Sequence, residues 1–214
     1  MIVMCAANGN ILLGYLAGKY PMKVGAMVSP ATGWMKAHDF LPYSIDNGKY
    51  ADTMAERDWD VTGFLKLLDK ASEGGIDPEF IVVPDEMFNR DETLRLFDKW
   101  APKLEGYGFR LAMACQDGMT PADVPAGVVA FIGGSDSFKR QAYSFTEACD
   151  HVHIGRVSGY KRLIASDAIG ATSVDGSGWF RCGGIENHSG KQRIDPLLRY
   201  LRETVEGSPQ QLLF

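Results

Sequence analysis

The chain has 214 residues, of which 45% are hydrophobic and 23% are charged, a balance typical of globular domains. This length suffices for one well-buried core and is too short for two large ones, so we expect a single domain over residues 1–214. The formal net charge of −5 excludes a general attraction to nucleic acid, so contact with a phosphate backbone would need a local basic patch.

Neither a membrane span nor a signal peptide is predicted. No apolar run reaches the roughly 20 residues that a span requires. The apolar N-terminal stretch is split by Asn8, Gly9 and Asn10 and has no basic residue before Lys19. The cysteines are far apart and form no CxxC pair, which predicts buried reduced thiols and a cytoplasmic location. They are Cys5, Cys115, Cys149 and Cys182.

Short apolar runs alternate with helical stretches along the chain. Several runs are apolar on consecutive residues, as strands buried on both faces are. Strands are predicted at residues 2–6, 23–28, 42–46, 80–85, 109–115, 128–133, 151–155 and 171–175. Helices are predicted at residues 11–20, 61–71, 91–104, 138–148, 161–169 and 195–205, whereas residues 29–41 are expected to form a loop.

Eight strands separated by crossovers indicate a parallel sheet, and the number eight favours a closed, TIM-like (β/α)8 barrel of the α/β class. The helices must be brief, because 214 residues is near the short end for this fold. An open, doubly wound sheet is the alternative.

Polar or glycine residues directly follow most of the predicted strands. The ordinary explanation is that Asp, Asn and Gly suit turns and helix caps. It explains less well a glutamine and three aspartates, each placed after a buried strand. In a barrel these positions share the face where enzymes of this fold place their active sites. The sequence therefore predicts an acidic enzyme site built from Asp46, Asp85, Gln116 and Asp175.

Three aspartates in one pocket would have a chemical consequence. Like charges in a partly dry site raise one another's pKa, so one carboxyl group can hold a proton while another is ionised. Such a pair can supply a nucleophile and a general acid/base. The third carboxylate, the glutamine and free backbone amides would suit recognition of the edge of a heterocycle.

Histidine and arginine residues lie near the seventh strand. His151 and His153 could bind a metal, because alternation along a strand points both imidazoles the same way. The ordinary alternative is that His153 hydrogen-bonds within the site and His151 is structural. Arg156 follows a strand whose loop commonly binds phosphate in this fold, so we expect it to contact a phosphate, assisted by Lys161 or Arg162.

The segments PYSIDNGKY, FIVVPDEMF, RLAMACQDG, AFIGGSDSFKR, HVHIGR and ATSVDGSGWFR, taken in order, resemble the tRNA-guanine transglycosylase superfamily. They are most similar to its short, phage-type relatives associated with 7-deazaguanine in DNA. The resemblance covers about two-thirds of the chain and depends on the order of the motifs at strand ends.

The resemblance implies a pentosyltransferase that exchanges guanine for a 7-deazaguanine-type base. Asp175 would be the nucleophile that forms a covalent sugar–enzyme intermediate, and Asp46 would be the general acid/base. Asp85 would read the guanine edge, and the remaining contacts would come from side chains and backbone around it. The expected substrate-binding residues are Asp85, Gln116, Gly133, Gly134, His153 and Arg156.

The implied partners are nucleic acid (DNA or RNA) or a guanine nucleotide, together with a free guanine or 7-deazaguanine base. The zinc-binding cysteine motif of the tRNA enzymes has no counterpart here, so we expect no metal and no cofactor. The alternatives are an N-glycoside hydrolase using the same aspartates, a non-catalytic nucleobase-binding protein and a metal-dependent hydrolase.

Overall fold

The structure is a computed structural model that describes residues 1–6, 11–34, 40–176, 178–179 and 189–207, with side chains in the last stretch from residue 194 onward. Eight parallel strands form a closed barrel in sequence order, with β8 hydrogen-bonded to β1. The predicted barrel is confirmed, and the open doubly wound sheet is excluded. The strands are β1 Ile2–Ala6, β2 Val24–Val28, β3 Tyr43–Ile45, β4 Ile81–Val82, β5 Leu111–Cys115, β6 Val129–Ile132, β7 Val152–Ile154 and β8 Ser173–Gly176.

The helices surround the barrel as the apolar periodicity predicts. In α3, for example, Phe64, Leu67, Leu68 and Ala71 are buried on one face, and the side chain of Asp60 caps the helix N-terminus. The helices in the described residues are α1 Ile11–Lys19, α2 Lys49–Met54, α3 Val61–Ser72, α4 Arg90–Leu104, α5 Ala142–Ala148, α6 Tyr160–Ala168 and α7 Ser189–Leu201. A 3-10 turn, Phe138–Gln141, precedes α5, and a π-helical turn, Arg202–Glu206, follows α7.

Helix α2 is the main element that the sequence did not predict. It begins after Gly48, whose φ of +81° is a left-handed conformation that favours glycine. A Cβ atom there would also lie 2.8 Å from Cδ of Pro30. This turn folds α2 back over the end of the barrel. The predicted loop at 29–41 contains no helix in its described part, and residues 35–39 lie outside the described residues.

The core has two parts, one inside the barrel and one between the barrel and its helices. The inner part is small and is filled chiefly by Met4, Met27, Phe80 and Val82 together with short side chains from neighbouring strands.

The described cysteines are free thiols, as expected: Cys5 and Cys115 are buried and Cys149 is partly buried. Cys182 lies outside the described residues. In the described part of the chain no helix is both long and apolar enough to cross a membrane. The cytoplasmic location stays a prediction.

Gly25→Ala is expected to destabilise the barrel. A Cβ atom at this position in β2 would lie 2.5 Å from the backbone oxygen of Pro42, which accepts a hydrogen bond from Ala26 beside β3. The strands would have to separate, and we expect a loss of about 1–3 kcal/mol in the free energy of unfolding, measured by urea denaturation.

The matched control is Gly14→Ala in α1, where a Cβ atom would meet nothing within 4 Å. Alanine is favoured over glycine in a helix, so this variant should unfold at equal or higher urea concentration, by up to about 1 kcal/mol. Equal stability of the two variants would contradict the close approach of β2 and β3.

Candidate active site

A large pocket of about 1080 Å³ opens at the carboxyl ends of the strands. Its floor is apolar and includes Met27, Val82 and Phe131, whereas its wall carries most of the polar residues predicted from the sequence. Such a concave site with a few convergent polar groups is typical of small-molecule binding. The predicted residues that line it are Asp46, Asp85, Gln116, Gly133, Gly134, Arg156 and Asp175.

Asp46 directly follows β3 and faces this pocket. The pKa of its carboxyl group is raised from 3.8 to about 7, chiefly by burial and in part by the nearby carboxylates Asp175 and Asp85. The backbone N–H of Gly48, which donates to Oδ1 at 3.3 Å, acts in the opposite direction. Near neutral pH Asp46 is therefore divided between its acid and its carboxylate form.

Asp175 lies in β8 and is held through one of its oxygens. Oδ1 is 3.1 Å from Nε2 of His153 and accepts a hydrogen bond of 3.1 Å from the backbone N–H of Arg156. Among the described residues nothing hydrogen-bonds to Oδ2, and 18% of the side chain is exposed. Asp175 is therefore held at Oδ1, while its Oδ2 has no hydrogen-bond partner within the described residues, and its side chain lines the pocket.

His153 was predicted to contact the substrate, but the structure places its ring beneath Asp175 with no exposed surface. The ring stacks on Phe131, with ring centroids 4.6 Å apart. It also makes a T-shaped contact with Phe80, with ring centroids 5.1 Å apart. Its Nδ1 atom is 2.8 Å from Oγ of Ser173. His153 thus contacts Asp175 and the core rather than the pocket.

Asp85 follows β4 and belongs to a network of amide side chains. Its Oδ1 accepts a hydrogen bond of 2.9 Å from Nδ2 of Asn47, and its Oδ2 accepts one of 2.7 Å from Nε2 of Gln116. Burial raises the pKa of Asp85, whereas these two amides and the charge of Lys49 oppose that rise. Asp85 is therefore an oriented acceptor in the pocket wall.

The two glycines after β6 do not offer the free backbone amides that the sequence suggested. The N–H of Gly133 donates to the backbone oxygen of Cys115 at 3.0 Å, and that of Gly134 donates to Oε1 of Gln116 at 3.2 Å. A Cβ atom on Gly133 would lie 3.0 Å from Nε2 of Gln116. These glycines allow Gln116 to approach the backbone, and their amides are already used.

Two basic residues cross the mouth of the pocket. Nζ of Lys49 is 2.8 Å from Oε2 of Glu86, an ion pair between α2 and the end of β4. The guanidinium of Arg156 donates to the backbone oxygen of Gly134 and lies 5.2 Å from the ring centroid of Tyr50. Neither Lys161 nor Arg162 lines the pocket, so the expected assistance to Arg156 is not seen.

The two histidines that were predicted to bind a metal together lie toward opposite ends of the barrel. His151 lines a small cavity at the amino ends of the strands, whereas His153 bonds to Asp175 below the pocket. Among the described residues no three His, Cys, Asp or Glu side chains are grouped as metal ligands. The described residues therefore do not support the alternative of a metal-dependent hydrolase.

No protein-family model matches the sequence, and no curated protein matches it either. Solved structures do resemble the fold. The native KDPGal structure is 12% identical, with a TM-score of 0.53 over 96% of this chain and 95% of that one. Tryptophan synthase from Pyrococcus furiosus is 10% identical, with a TM-score of 0.54 over 97% and 98%. A putative fructose-1,6-biphosphate aldolase from Coccidioides immitis is 10% identical, with a TM-score of 0.54 over 100% and 92%.

The resemblance to tRNA-guanine transglycosylases is therefore wrong, and so is the base exchange that it implied. The similar structures are a KDPGal structure, a tryptophan synthase and a putative aldolase. The quoted motifs are Asp- and Gly-rich strand ends, which a parallel barrel brings to one face whatever its chemistry. The roles given to Asp46, Asp85 and Asp175 by that resemblance lose their basis, and the expected nucleic-acid or guanine-nucleotide partner stays an untested prediction.

Some residues of the site were missed. Asn47 follows Asp46 in the same turn, and nothing in the sequence shows that its amide reaches Asp85. Ser173 could have been found, because it precedes Asp175 by two positions and alternation places both on the inner face of β8. The ion pair of Lys49 and Glu86 joins two loops that are distant in the sequence.

Asp46→Asn is expected to stabilise the protein at about pH 8 and to have little effect at about pH 4. The pKa of Asp46 is raised from 3.8 to about 7. Its protonation therefore contributes stability that is present below the lower value and is lost as the pH rises through the higher one. Asparagine cannot ionise and retains this stability, worth at most about 4 kcal/mol.

Urea unfolding at both pH values measures the effect. Asp58→Asn, at an exposed aspartate outside the pocket, is the control and should not reproduce the difference. If Asp46→Asn instead lowers the free energy of unfolding by the same amount at both pH values, the pKa of Asp46 is not raised in the folded protein.

Proposed function

We propose that the chain is an enzyme, a lyase of the aldol type that breaks or forms a carbon–carbon bond beside a carbonyl group. The observation that carries the proposal is the pair Asp46 and Asp175, which line one pocket and have different hydrogen-bond partners. The pKa of Asp46 is raised to about 7, and Oδ1 of Asp175 contacts Nε2 of His153 and the backbone N–H of Arg156. A pair of this kind can deliver one proton and remove another.

Likeness of fold supports the choice of reaction only as an analogy. A putative fructose-1,6-biphosphate aldolase and a tryptophan synthase share this barrel, and both share it at low identity. Because one barrel fold hosts many reactions, the assignment depends on the residues of the pocket.

Both protons of an aldol cleavage are accounted for by these side chains. Oδ2 of Asp175 takes the proton of the substrate hydroxyl while the adjacent carbon–carbon bond breaks and the hydroxyl carbon becomes a carbonyl. The electron pair of the broken bond moves to the other fragment as an enolate. Asp46 in its acid form then protonates the α-carbon of that fragment, and both carboxyl groups return to their starting states when the protons are exchanged with solvent.

The remaining polar groups suit substrate orientation. Arg156 is exposed at the mouth and carries the positive charge that an enolate oxygen or an anionic substituent would need. Asp85 is fixed by Asn47 and Gln116 and can accept a hydrogen bond from a substrate hydroxyl. A small, hydroxylated carbonyl compound with an anionic group fits this set.

Asp46→Asn is expected to abolish proton exchange at the carbon next to a carbonyl, because Asp46 is the group that gives a proton to that carbon and takes one from it. The test incubates the protein in deuterium oxide with a panel of carbonyl compounds, including pyruvate and dihydroxyacetone phosphate, and follows deuterium incorporation by NMR. Wild type should exchange the α-proton of at least one compound. Loss of the base should lower the rate by about 100-fold or more.

Asp136→Asn is the matched control, because Asp136 also follows a strand but pairs with Arg162 on the surface and does not line the pocket. It should retain the wild-type rate. Absence of exchange with every member of the panel, or equal rates in the two variants, would reject the aldol-type assignment.

A further inference from the structure

A chain of hydrogen-bonding groups runs down the inside of the barrel from Asp175. Nε2 of His153 is 3.1 Å from Oδ1 of Asp175, and Nδ1 of the same ring is 2.8 Å from Oγ of Ser173. Adjacent strands place these groups together, since His153 in β7 pairs in register with Ser173 in β8. His153 has no exposed surface and Ser173 has 5%.

The chain ends at a second cavity on the opposite side of the protein. This lower cavity has a volume of about 40 Å³ and lies at the amino ends of the strands, where Ser173 forms part of its wall. The volume is enough for at least one water molecule, and a polar lining can hold such a water. The other polar residues of the lining are Glu79, Arg110, His151 and Thr172, of which Arg110 is exposed.

We propose that Ser173 and His153 form a proton relay that connects Asp175 with the lower cavity. The relay rests on the proposed function in one respect, since it supplies the route by which Asp175 loses the proton it takes from a substrate. Because both residues act through Asp175, they are positioning residues rather than catalytic ones.

The relay works because the imidazole can bond in either of its tautomers. When Asp175 is ionised, Nε2–H donates to it, and Nδ1 accepts from the hydroxyl of Ser173. When Asp175 is protonated, it donates to Nε2, and Nδ1–H donates to Oγ of Ser173. Passing from the second state to the first moves one proton from Asp175 to Nε2, one from Nδ1 to Oγ, and one from the serine hydroxyl to water in the lower cavity. No other bond forms or breaks.

A purely structural role explains the arrangement less well. Two aromatic rings contact the imidazole, Phe131 by stacking and Phe80 in a T-shaped contact, and an apolar side chain could fill that space without needing partners. The histidine instead links two polar groups that face different cavities. A relay also allows Asp175 to discharge its proton while a substrate fills the upper pocket.

The test measures solvent exchange of the ring N–H of His153 by NMR on histidine-labelled protein, with His153→Gln used to assign the signal. The background is Asp175→Asn, in which the route through the upper pocket is cut because an amide does not pass protons. On this background, adding Ser173→Ala should slow exchange by about tenfold or more. Loss of packing alone would have the opposite sign, since looser structure exchanges faster.

An isosteric pair provides the control. Ser173→Thr retains the hydroxyl and should keep the exchange rate of the Asp175→Asn background, whereas Ser173→Val has the same shape without the hydroxyl and should be slow. Equal rates for Thr and Val, or faster exchange in the alanine variant, would overturn the relay. The NMR measurement needs no substrate, so it is independent of the deuterium-incorporation assay, whose failure would reject the aldol-type function alone.

Discussion

Closure of the sheet by hydrogen bonds between β8 and β1 is the constraint on which the site depends. It fixes the register of every strand, sets Met4 opposite Asp175, and brings the carboxyl ends of all eight strands to one face. The interior below that face is filled by methionine, phenylalanine and short side chains. Charged groups are therefore concentrated at the rim, where their ionisation is coupled through a partly dry pocket.

The three aspartates that line the pocket have different surroundings because their hydrogen-bond partners differ. Oδ1 of Asp175 contacts a ring nitrogen of His153 and a backbone N–H, and Asp85 has a side-chain amide on each oxygen, whereas among the described residues Asp46 accepts from backbone N–H groups. At Asp46 the effect of burial outweighs these hydrogen bonds, and its pKa rises to about 7. The different surroundings of these similar residues are thus a product of the loops, while the barrel supplies their proximity.

The sequence was sufficient for the barrel because strands buried on both faces give continuous apolar runs between turn residues. It was also sufficient to bring Asp46, Asp85 and Asp175 to one face. It missed α2, whose start depends on the conformation of Gly48. It wrongly suggested that the backbone amides of Gly133 and Gly134 are free for a ligand. Both amides donate hydrogen bonds within the protein, and the sequence pattern does not show these partners. The family assignment failed because strand-end aspartates are common to many barrels.

The narrowest junction of the barrel lies beside the site. Strands β3 and β4 share a single register pair, Ile45 with Ile81, and beyond it the side chain of Asn47 continues the junction by donating to Val83 and to Asp85. One amide group thus substitutes for missing main-chain pairing and also orients an acidic residue of the pocket. Replacing Asn47 would remove both contacts at once, and local opening of the barrel should start at this junction.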